Sequence, residues 1–295
     1  MENLTAKMSC FARAFHRRAN ACPVFDDTAA ESLLGCDYAE IARNLSAGAG
    51  YFLPGFAGTP EECLRAIVDG QLAPPVLARS AFCETALAEE LAAGCEQYLL
   101  LAAGYDTFAI RHADTVLSVF ELDLSEMLRD KRQRAERAGL RSCAVYVPCD
   151  LAEPGWVGRL TESGFAAEKK SFAALLGISY YLRKEDFRAL LRAAGQVMAS
   201  GSVVCLDYPS AEESRSAAVT SALAQAAGEP MRARYSPEEM RLLLESTGFS
   251  VVEHLSPEEM TRRFFAEHNQ SAPEHPMKAP EGVRYILARR IRTEK

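Results

Sequence analysis

Two short segments of this 295-residue sequence combine a glycine turn with paired carboxylates. An apolar run at residues 98–102 ends at Gly104, and a second apolar run at residues 115–120 is followed by Glu121 and Asp123. Apolar runs that stop at glycine and acidic residues are typical of buried strands that turn into helices. If the two runs are neighbouring parallel strands, their carboxyl ends bring the glycine turn and both carboxylates to one crevice.

That crevice is where open α/β sheets bind nucleotides, and adenosine fits its chemistry. A glycine lets a bulky group approach the backbone, and a carboxylate accepts hydrogen bonds from ribose hydroxyls. An NAD site would need the pattern G-x-G-x-x-G beneath its pyrophosphate. Residues 102–107 instead read Ala-Ala-Gly-Tyr-Asp-Thr, and Asp106 would oppose a pyrophosphate. S-adenosyl-L-methionine (SAM) contains no phosphate, so the sequence favours SAM over NAD.

The elements that position this crevice alternate between strands and helices, which predicts an α/β fold. Helical spacing of apolar residues predicts an amphipathic helix at residues 4–21, helices between residues 60 and 94, and crossover helices at residues 125–139 and 184–198. Two further helices begin with Ser-Pro-Glu-Glu, a capping pattern. Seven apolar runs predict strands, at residues 98–102, 115–120, 143–147, 172–176, 202–207, 249–254 and 283–290.

The composition excludes several classes of protein. A hydrophobic content of 48% and a charged content of 25% are those of a soluble globular protein. The net charge of -7 argues against a nucleic-acid partner. The nine cysteines form no C-x-x-C pair, which favours reduced thiols in the cytoplasm over disulfides or a metal site. No apolar run reaches the ~18 residues that span a membrane, and the first twenty residues lack a signal-peptide core.

Few side chains are candidates for a general base or a substrate pocket. His16 titrates near neutrality, but a lone histidine is more often a structural residue than a base. Tyr180, Tyr181 and Tyr51 are the other candidates for proton removal, and none of them forms an evident dyad. Tyr51 lies in a glycine-rich aromatic segment and could line a pocket or pack in the core.

Several segments, in the same order along the chain, resemble the leucine carboxyl methyltransferase family, and together they cover roughly residues 10 to 210. They are residues 97–111, 120–123, 150–151 and 176–182. The resemblance implies the fold of class I SAM-dependent methyltransferases, which is Rossmann-like, with a mostly parallel sheet, helices on both faces and an N-terminal helical cap. Residues 1–78 would form that cap and substrate lid, and residues 79–295 the SAM-binding domain, with residues 210–235 adding to the cap.

The resemblance also implies roles for individual residues. Arg79 would hold the methionine carboxylate of SAM, because a guanidinium offers two parallel donors. Asp150 and Leu151 would contact adenine, and the cap would bring Phe11, Phe15, Tyr51 and Tyr181 to the substrate. The complete set expected to bind the cofactor is Arg79, Ala102, Ala103, Gly104, Glu121, Asp123, Asp150, Leu151 and Leu176.

These observations predict a SAM-dependent O-methyltransferase that acts on a carboxylate or phenolic hydroxyl of a small molecule, releases S-adenosyl-L-homocysteine (SAH) and uses no metal. A carboxylate is ionised at neutral pH and needs no base, so the absence of an evident base favours a carboxylate acceptor.

Two alternatives stay open. The family also contains methyltransferases that act on protein C-termini, but these carry a glutamate where this chain has Leu176. A SAM-binding regulator without catalysis is left open by Ala102, which replaces a glycine, although an alanine there is expected to permit an ordinary strand-to-turn backbone.

Overall fold

A seven-stranded sheet organises the chain, in the order β3-β2-β1-β4-β5-β7-β6. The computed structural model describes residues 4–212 and 230–291. Strands β1 to β5 are parallel, and β7 is antiparallel to both β5 and β6. The strands are β1 (Gln97–Leu101), β2 (Ser118–Asp123), β3 (Val145–Pro148), β4 (Ser171–Leu175), β5 (Val203–Pro209), β6 (Phe249–Leu255) and β7 (Val283–Arg290). All seven predicted strands are therefore present, and the predicted α/β fold is confirmed.

Helices cover both faces of this sheet. Those that precede β1 are α1 (Leu4–Ala19), α2 (Ala30–Leu34), α3 (Cys36–Ala47), α4 (Ala49–Phe52), α5 (Pro60–Ile67), a π-helical segment (Val68–Leu72) and α6 (Ala73–Ala92). Those that follow are α7 (Phe108–Arg111), α8 (Ser125–Arg137), α9 (Trp156–Glu162), α10 (Lys184–Val197), α11 (Pro237–Ser246), α12 (Pro257–Met260), a second π-helical segment (Thr261–Phe265) and α13 (Ala266–Ser271). Among the helices of residues 4–212 and 230–291, none combines the length and the hydropathy that a membrane span requires.

Successive side chains of the central strands point to opposite faces of the sheet, and this divides the apolar core into two layers. Tyr98 and Leu100 of β1 pack with α1 and α6 on one face. Leu99 and Leu101 pack with α9, α10 and α11 on the other face. Both faces of β1 and β4 are fully buried, which is why their sequences are continuous apolar runs.

The N-terminal helices share their core with the sheet. Buried side chains of α1, α2, α3 and α5 belong to the same apolar cluster as those of β1 and β4. The boundary expected at residues 78 and 79 falls inside α6. Residues 213–229, which were expected to add to the cap, lie outside the described residues.

The strand order reverses between β1 and β4, so their carboxyl ends form a crevice at the centre of the sheet. Strand β2 extends three residues beyond its predicted end at residue 120 and includes both acidic residues. Glu121 pairs in register with Leu100, and Asp123 is the last residue of the strand. The two carboxylates therefore occupy different depths in the sheet.

The turn after β1 is strained at Ala102. Its φ is 63°, which makes it the one residue other than glycine with a positive φ in the described ranges. The expectation of an ordinary strand-to-turn backbone at this alanine is therefore wrong. The N–H groups of Ala102 and Ala103 both donate to the Leu122 carbonyl, at 3.0 and 3.1 Å, and this pairing holds the left-handed backbone in place.

Replacing Ala102 by glycine is expected to stabilise the protein. A left-handed backbone costs a residue with a Cβ about 1–2 kcal/mol, and the greater freedom of glycine in the unfolded chain offsets about half of that gain. Ala102→Gly should therefore raise the free energy of unfolding by about 1 kcal/mol in a urea titration. Ala103→Gly, at a neighbouring residue without a positive φ, should lower it. Equal destabilisation by both variants would contradict the strain at Ala102.

Candidate functional site

A cavity of about 210 Å³ lies at the carboxyl ends of β1, β2 and β4. The glycine turn and the strand ends form its floor, and Thr5, Ala6 and Ser9 of α1 cover it. Sites that enclose a drug-sized ligand typically measure ~300–1,000 Å³. The covered space therefore suits part of a nucleoside-sized ligand.

Asp123 and Gly104 form one wall of this cavity. Gly104 has a φ of 49°, and its N–H donates to Asp123 Oδ2 at 2.8 Å. The N–H of Leu124 donates to Asp123 Oδ1 at 2.7 Å. Burial raises the pKa of Asp123 above its ordinary value, and the two N–H donors offset this in part. The strand end and the turn thus hold one carboxylate at the edge of the cavity, as an acceptor for hydroxyl donors.

Arg79 projects from α6 into the same cavity. Its Nη2 donates to Ser9 Oγ at 3.3 Å, and its Nη1 lies 3.6 Å from Asp207 Oδ2. A Cβ on Gly177 would approach Arg79 Nη1 to 2.6 Å, so the guanidinium lies directly against the glycine backbone. The arginine expected from the sequence is therefore at the cavity, where a carboxylate ligand could accept its remaining donors.

Arg13 is a second guanidinium at the cavity, which the sequence analysis did not identify. Its Nε donates to Asp27 Oδ2 and its Nη2 to the Tyr105 carbonyl, both at 2.7 Å. Burial would raise the pKa of Asp27, but Arg13 and Arg111 hold that pKa below its ordinary value. Thr5, Ser9 and Arg13 recur every four residues along α1, and this polar stripe could have indicated a cavity-facing side of the helix.

Six of the nine residues expected to bind a cofactor line the cavity. Three do not: Glu121, Asp150 and Leu151 lie elsewhere. The six that do are Arg79, Ala102, Ala103, Gly104, Asp123 and Leu176.

The structure does not bring Glu121 to the cavity. Its side chain is fully buried, and Glu121 Oε2 accepts a hydrogen bond from Lys131 Nζ of α8 at 2.6 Å. Burial raises the pKa of Glu121 to about 7, which Lys131 offsets only in part. The cause is the length of β2, because Glu121 is inside the strand and its side chain points under α8 rather than beyond the strand end.

Asp150 and Leu151 follow β3, beside the cavity rather than in its wall. Asp150 is exposed, and its Oδ1 accepts the N–H of Ala152 at 2.9 Å. Leu151 is buried among apolar side chains of the opposite core layer. The Cys149 N–H donates to the Asp123 carbonyl at 2.9 Å, so this loop adjoins the acidic wall.

Neither His16 nor Tyr180 lines the cavity. His16 is fully buried, its Nε2 accepts the Val24 N–H at 3.0 Å, and burial lowers its pKa despite the neighbouring Asp69. Tyr180 is buried and donates to Asp207 Oδ2 at 2.9 Å. Burial and Asp207 raise the pKa of Tyr180 well above its ordinary value. Both side chains are already committed to structural partners.

Of the residues expected at the substrate, Tyr181 lines the cavity. Phe11 and Phe15 instead pack against one another in the core, with tilted rings whose centroids are 5.9 Å apart. They lie on the inner side of α1, whereas Ser9 and Arg13 face the cavity. Tyr51 is 69% exposed and packs edge-on against Phe52. The amphipathic spacing of α1 therefore identified core contacts rather than substrate contacts.

The chemistry of the cavity fits SAM. The Arg79 guanidinium can bind a carboxylate, and Asp123 can accept from ribose hydroxyls. Leu176 and Ile178 add apolar surface to the cavity lining. Asp106 also lines the cavity, where its carboxylate would repel a pyrophosphate. In residues 4–212 and 230–291, no group of His, Cys, Asp or Glu side chains could hold a metal ion.

Comparison with known proteins places this chain in a family. Residues 6–195 match the family described as leucine carboxyl methyltransferase. The chain belongs to that family. YktD of Bacillus subtilis (strain 168), whose name places it among SAM-dependent methyltransferases, is 32% identical over 97% of both chains. A similarly named protein of Mycobacteroides abscessus is 30% identical over 71% of this chain and 68% of its own length.

Membership makes the protein a SAM-dependent methyltransferase, with SAM as its methyl donor. A solved structure of a DUF574 family protein from Streptomyces avermitilis MA-4680 matches with a TM-score of 0.59 and 16% identity. That match covers 83% of this chain and 96% of the other. The two chains therefore share a fold, and the mostly parallel sheet with helices on both faces is the architecture that the leucine carboxyl methyltransferase resemblance implied.

The buried pair of Glu121 and Lys131 is expected to make stability depend on pH. The pKa of Glu121 is raised from 4.5 to about 7, so the folded state retains a proton that the unfolded state releases. The free energy of unfolding should therefore fall as pH rises from 4.5 to about 7. The slope due to this one group is at most on the order of 1 kcal/mol per pH unit.

Glu121→Gln combined with Lys131→Met removes both charges and should remove this loss. The measurement is the free energy of urea unfolding of both proteins at about pH 5 and pH 7. Glu126→Gln, at an exposed residue of α8, should retain the wild-type dependence. A double variant with an unchanged dependence would show that Glu121 is ionised throughout.

Proposed function

We propose that the protein transfers the methyl group of SAM to a carboxylate of a small molecule, as an O-methyltransferase. The observation that carries this proposal is the set of ionisable groups at the cavity. In the described part of the chain, these are Arg13, Arg79, Tyr105, Asp106, Asp123 and Tyr181. Neither the one histidine considered as a base nor Tyr180 reaches the cavity. An acceptor that is already ionised fits such a site.

Four parts of the chain would bind the methyl donor. Arg79 would hold the methionine carboxylate through two parallel N–H donors. The turn at Ala102 to Gly104 would contact the methionyl backbone, and Asp123 would accept from the ribose hydroxyls. Asp150 and Leu151 adjoin Asp123 through the Cys149 N–H, and they would contact the adenine.

When bound, SAM supplies a methyl carbon that is activated by its sulfonium. The protein then has to orient the acceptor oxygen and exclude water from the site. Helix α1 is positioned for both tasks because Thr5, Ala6 and Ser9 cover the cavity. Arg13 ties α1 to Asp27 and to the Tyr105 carbonyl of the glycine turn, so this cover is anchored on both sides.

A phenolic hydroxyl is the second candidate acceptor. Tyr181 is the observation that favours it, because it lines the cavity and carries an ionisable oxygen. Methylation of a protein C-terminus fits less well, since the enzymes with that activity carry a glutamate at the position of Leu176, whose apolar side chain lines this cavity. A SAM-binding regulator without catalysis is the other alternative, and such a protein would need no site for an acceptor.

The acceptor class can be identified from the pH dependence of the rate. A carboxylate has a pKa of about 4, so its methylation should proceed at a constant rate between about pH 6 and pH 9. A phenol has a pKa of about 10, and its methylation should accelerate with pH across that interval. The measurement is transfer of labelled methyl from SAM to panels of small carboxylates and phenols. Methyl esters release methanol in alkali and methyl ethers do not, which separates the two products.

The cofactor site is tested by Asp123→Asn. Loss of the charged acceptor should weaken SAH binding about tenfold in a calorimetric titration, since a hydrogen bond to a charged group contributes about 1.5–3 kcal/mol. Asp114→Asn, at an exposed aspartate on the surface, should leave the affinity unchanged. NAD should bind neither protein. An unchanged affinity in Asp123→Asn would remove Asp123 from the proposed site.

A further inference from the structure

A buried carboxylate lies behind the cavity, at the end of β5. Asp207 is fully buried and is not part of the cavity wall. Its Oδ1 accepts the Gly177 N–H at 2.6 Å, and its Oδ2 accepts the Tyr180 hydroxyl at 2.9 Å. The same Oδ2 lies 3.6 Å from Arg79 Nη1. One carboxylate therefore contacts both the loop after β4 and the cationic group of the cavity.

The position of Arg79 is restricted on three sides. Asp207 lies behind the guanidinium, and Ser9 Oγ accepts from its Nη2 at 3.3 Å. On the third side is the backbone of Gly177, which has a φ of 69°. A Cβ at Gly177 would lie 2.6 Å from Nη1, 3.0 Å from Cζ and 3.2 Å from Nη2. The whole guanidinium plane thus rests on a glycine that leaves space for it.

The charges around Asp207 indicate what its carboxylate does for Arg79. A buried ionised carboxylate is costly unless it is paired and hydrogen-bonded, and Asp207 has two donors and one cation. An arginine side chain has several rotatable bonds, so an unrestrained Arg79 would sample many orientations. Pairing with Asp207 restricts that sampling before a ligand arrives, which lowers the cost of binding.

We propose that Asp207 is a positioning residue that orients Arg79 toward the methionine carboxylate of SAM and SAH. The proposal rests on the function proposed above and adds a residue that does not itself touch the ligand. The proposal predicts that a change at Asp207 affects some ligands and not others. Asp207 affects the affinity only for ligands that carry the carboxylate, because the adenosine part contacts other residues.

The test compares two ligands on Asp207→Asn, by calorimetric titration. SAH carries the methionine carboxylate, and 5′-methylthioadenosine contains the same nucleoside and sulfur without it. Asp207→Asn should weaken SAH binding at least tenfold and change the affinity for 5′-methylthioadenosine less than twofold. Ser179→Ala removes a hydroxyl that donates to the Asp207 backbone carbonyl, at 2.8 Å, and should change neither affinity.

Two further variants test the link to Arg79. In an Arg79→Lys background, Asp207→Asn should cause little additional loss of SAH affinity, because the oriented guanidinium is already absent. Tyr180→Phe removes one donor from the shared Oδ2, and should cause a smaller loss, about two- to fivefold, again confined to SAH. This variant replaces Asp207→Asn as the test if the latter does not fold.

Equal weakening of both ligands by Asp207→Asn would overturn the proposal, since a general structural role predicts that result. Unchanged SAH affinity would overturn it as well, while leaving the proposed function intact. A wild-type protein that binds neither SAH nor 5′-methylthioadenosine would overturn the proposed function and, with it, this inference. Additive losses in the Arg79→Lys background would show that Asp207 acts independently of Arg79.

Discussion

The reversal of strand order between β1 and β4 is the constraint on which the site depends. It leaves the carboxyl ends of these strands open at the centre of the sheet, with Gly104 and Asp123 on one side and Gly177 on the other. Because a parallel sheet is buried on both faces, polar groups can reach a ligand only at these strand ends. The left-handed backbone at Ala102, the glycine beneath Arg79 and the carboxylate of Asp123 all follow from chain segments that converge there.

Much of the fold could be predicted from the sequence because its signals are local. Short apolar runs identify strands, and the Ser-Pro-Glu-Glu caps at Ser236 and Ser256 form as predicted. Arg79, Gly104 and Asp123 were also predicted at the site, and they lie at the cavity. Their ligand contacts stay predictions.

The other features of the site depend on long-range contacts that no local sequence pattern reveals. Glu121 is buried away from the cavity, unlike Asp123, because β2 continues through both residues. Lys131 of α8 pairs with the Glu121 carboxylate there. Arg13 looks like part of a basic surface cluster until Asp27 and the Tyr105 carbonyl are brought beside it. His16 and Tyr180 similarly acquire buried partners, and neither lines the cavity.

The continuous core beneath the N-terminal helices also limits how this enzyme can diversify. Since α1 packs its aromatic side into the same apolar layer as the sheet, the cover is not an exchangeable module. On α1, Thr5, Ala6 and Ser9 contact the site without belonging to the Phe11–Phe15 pair, whereas Arg13 is paired with Asp27. Point changes along one side of a helix can therefore alter the lining of the cavity, without replacement of the N-terminal helices.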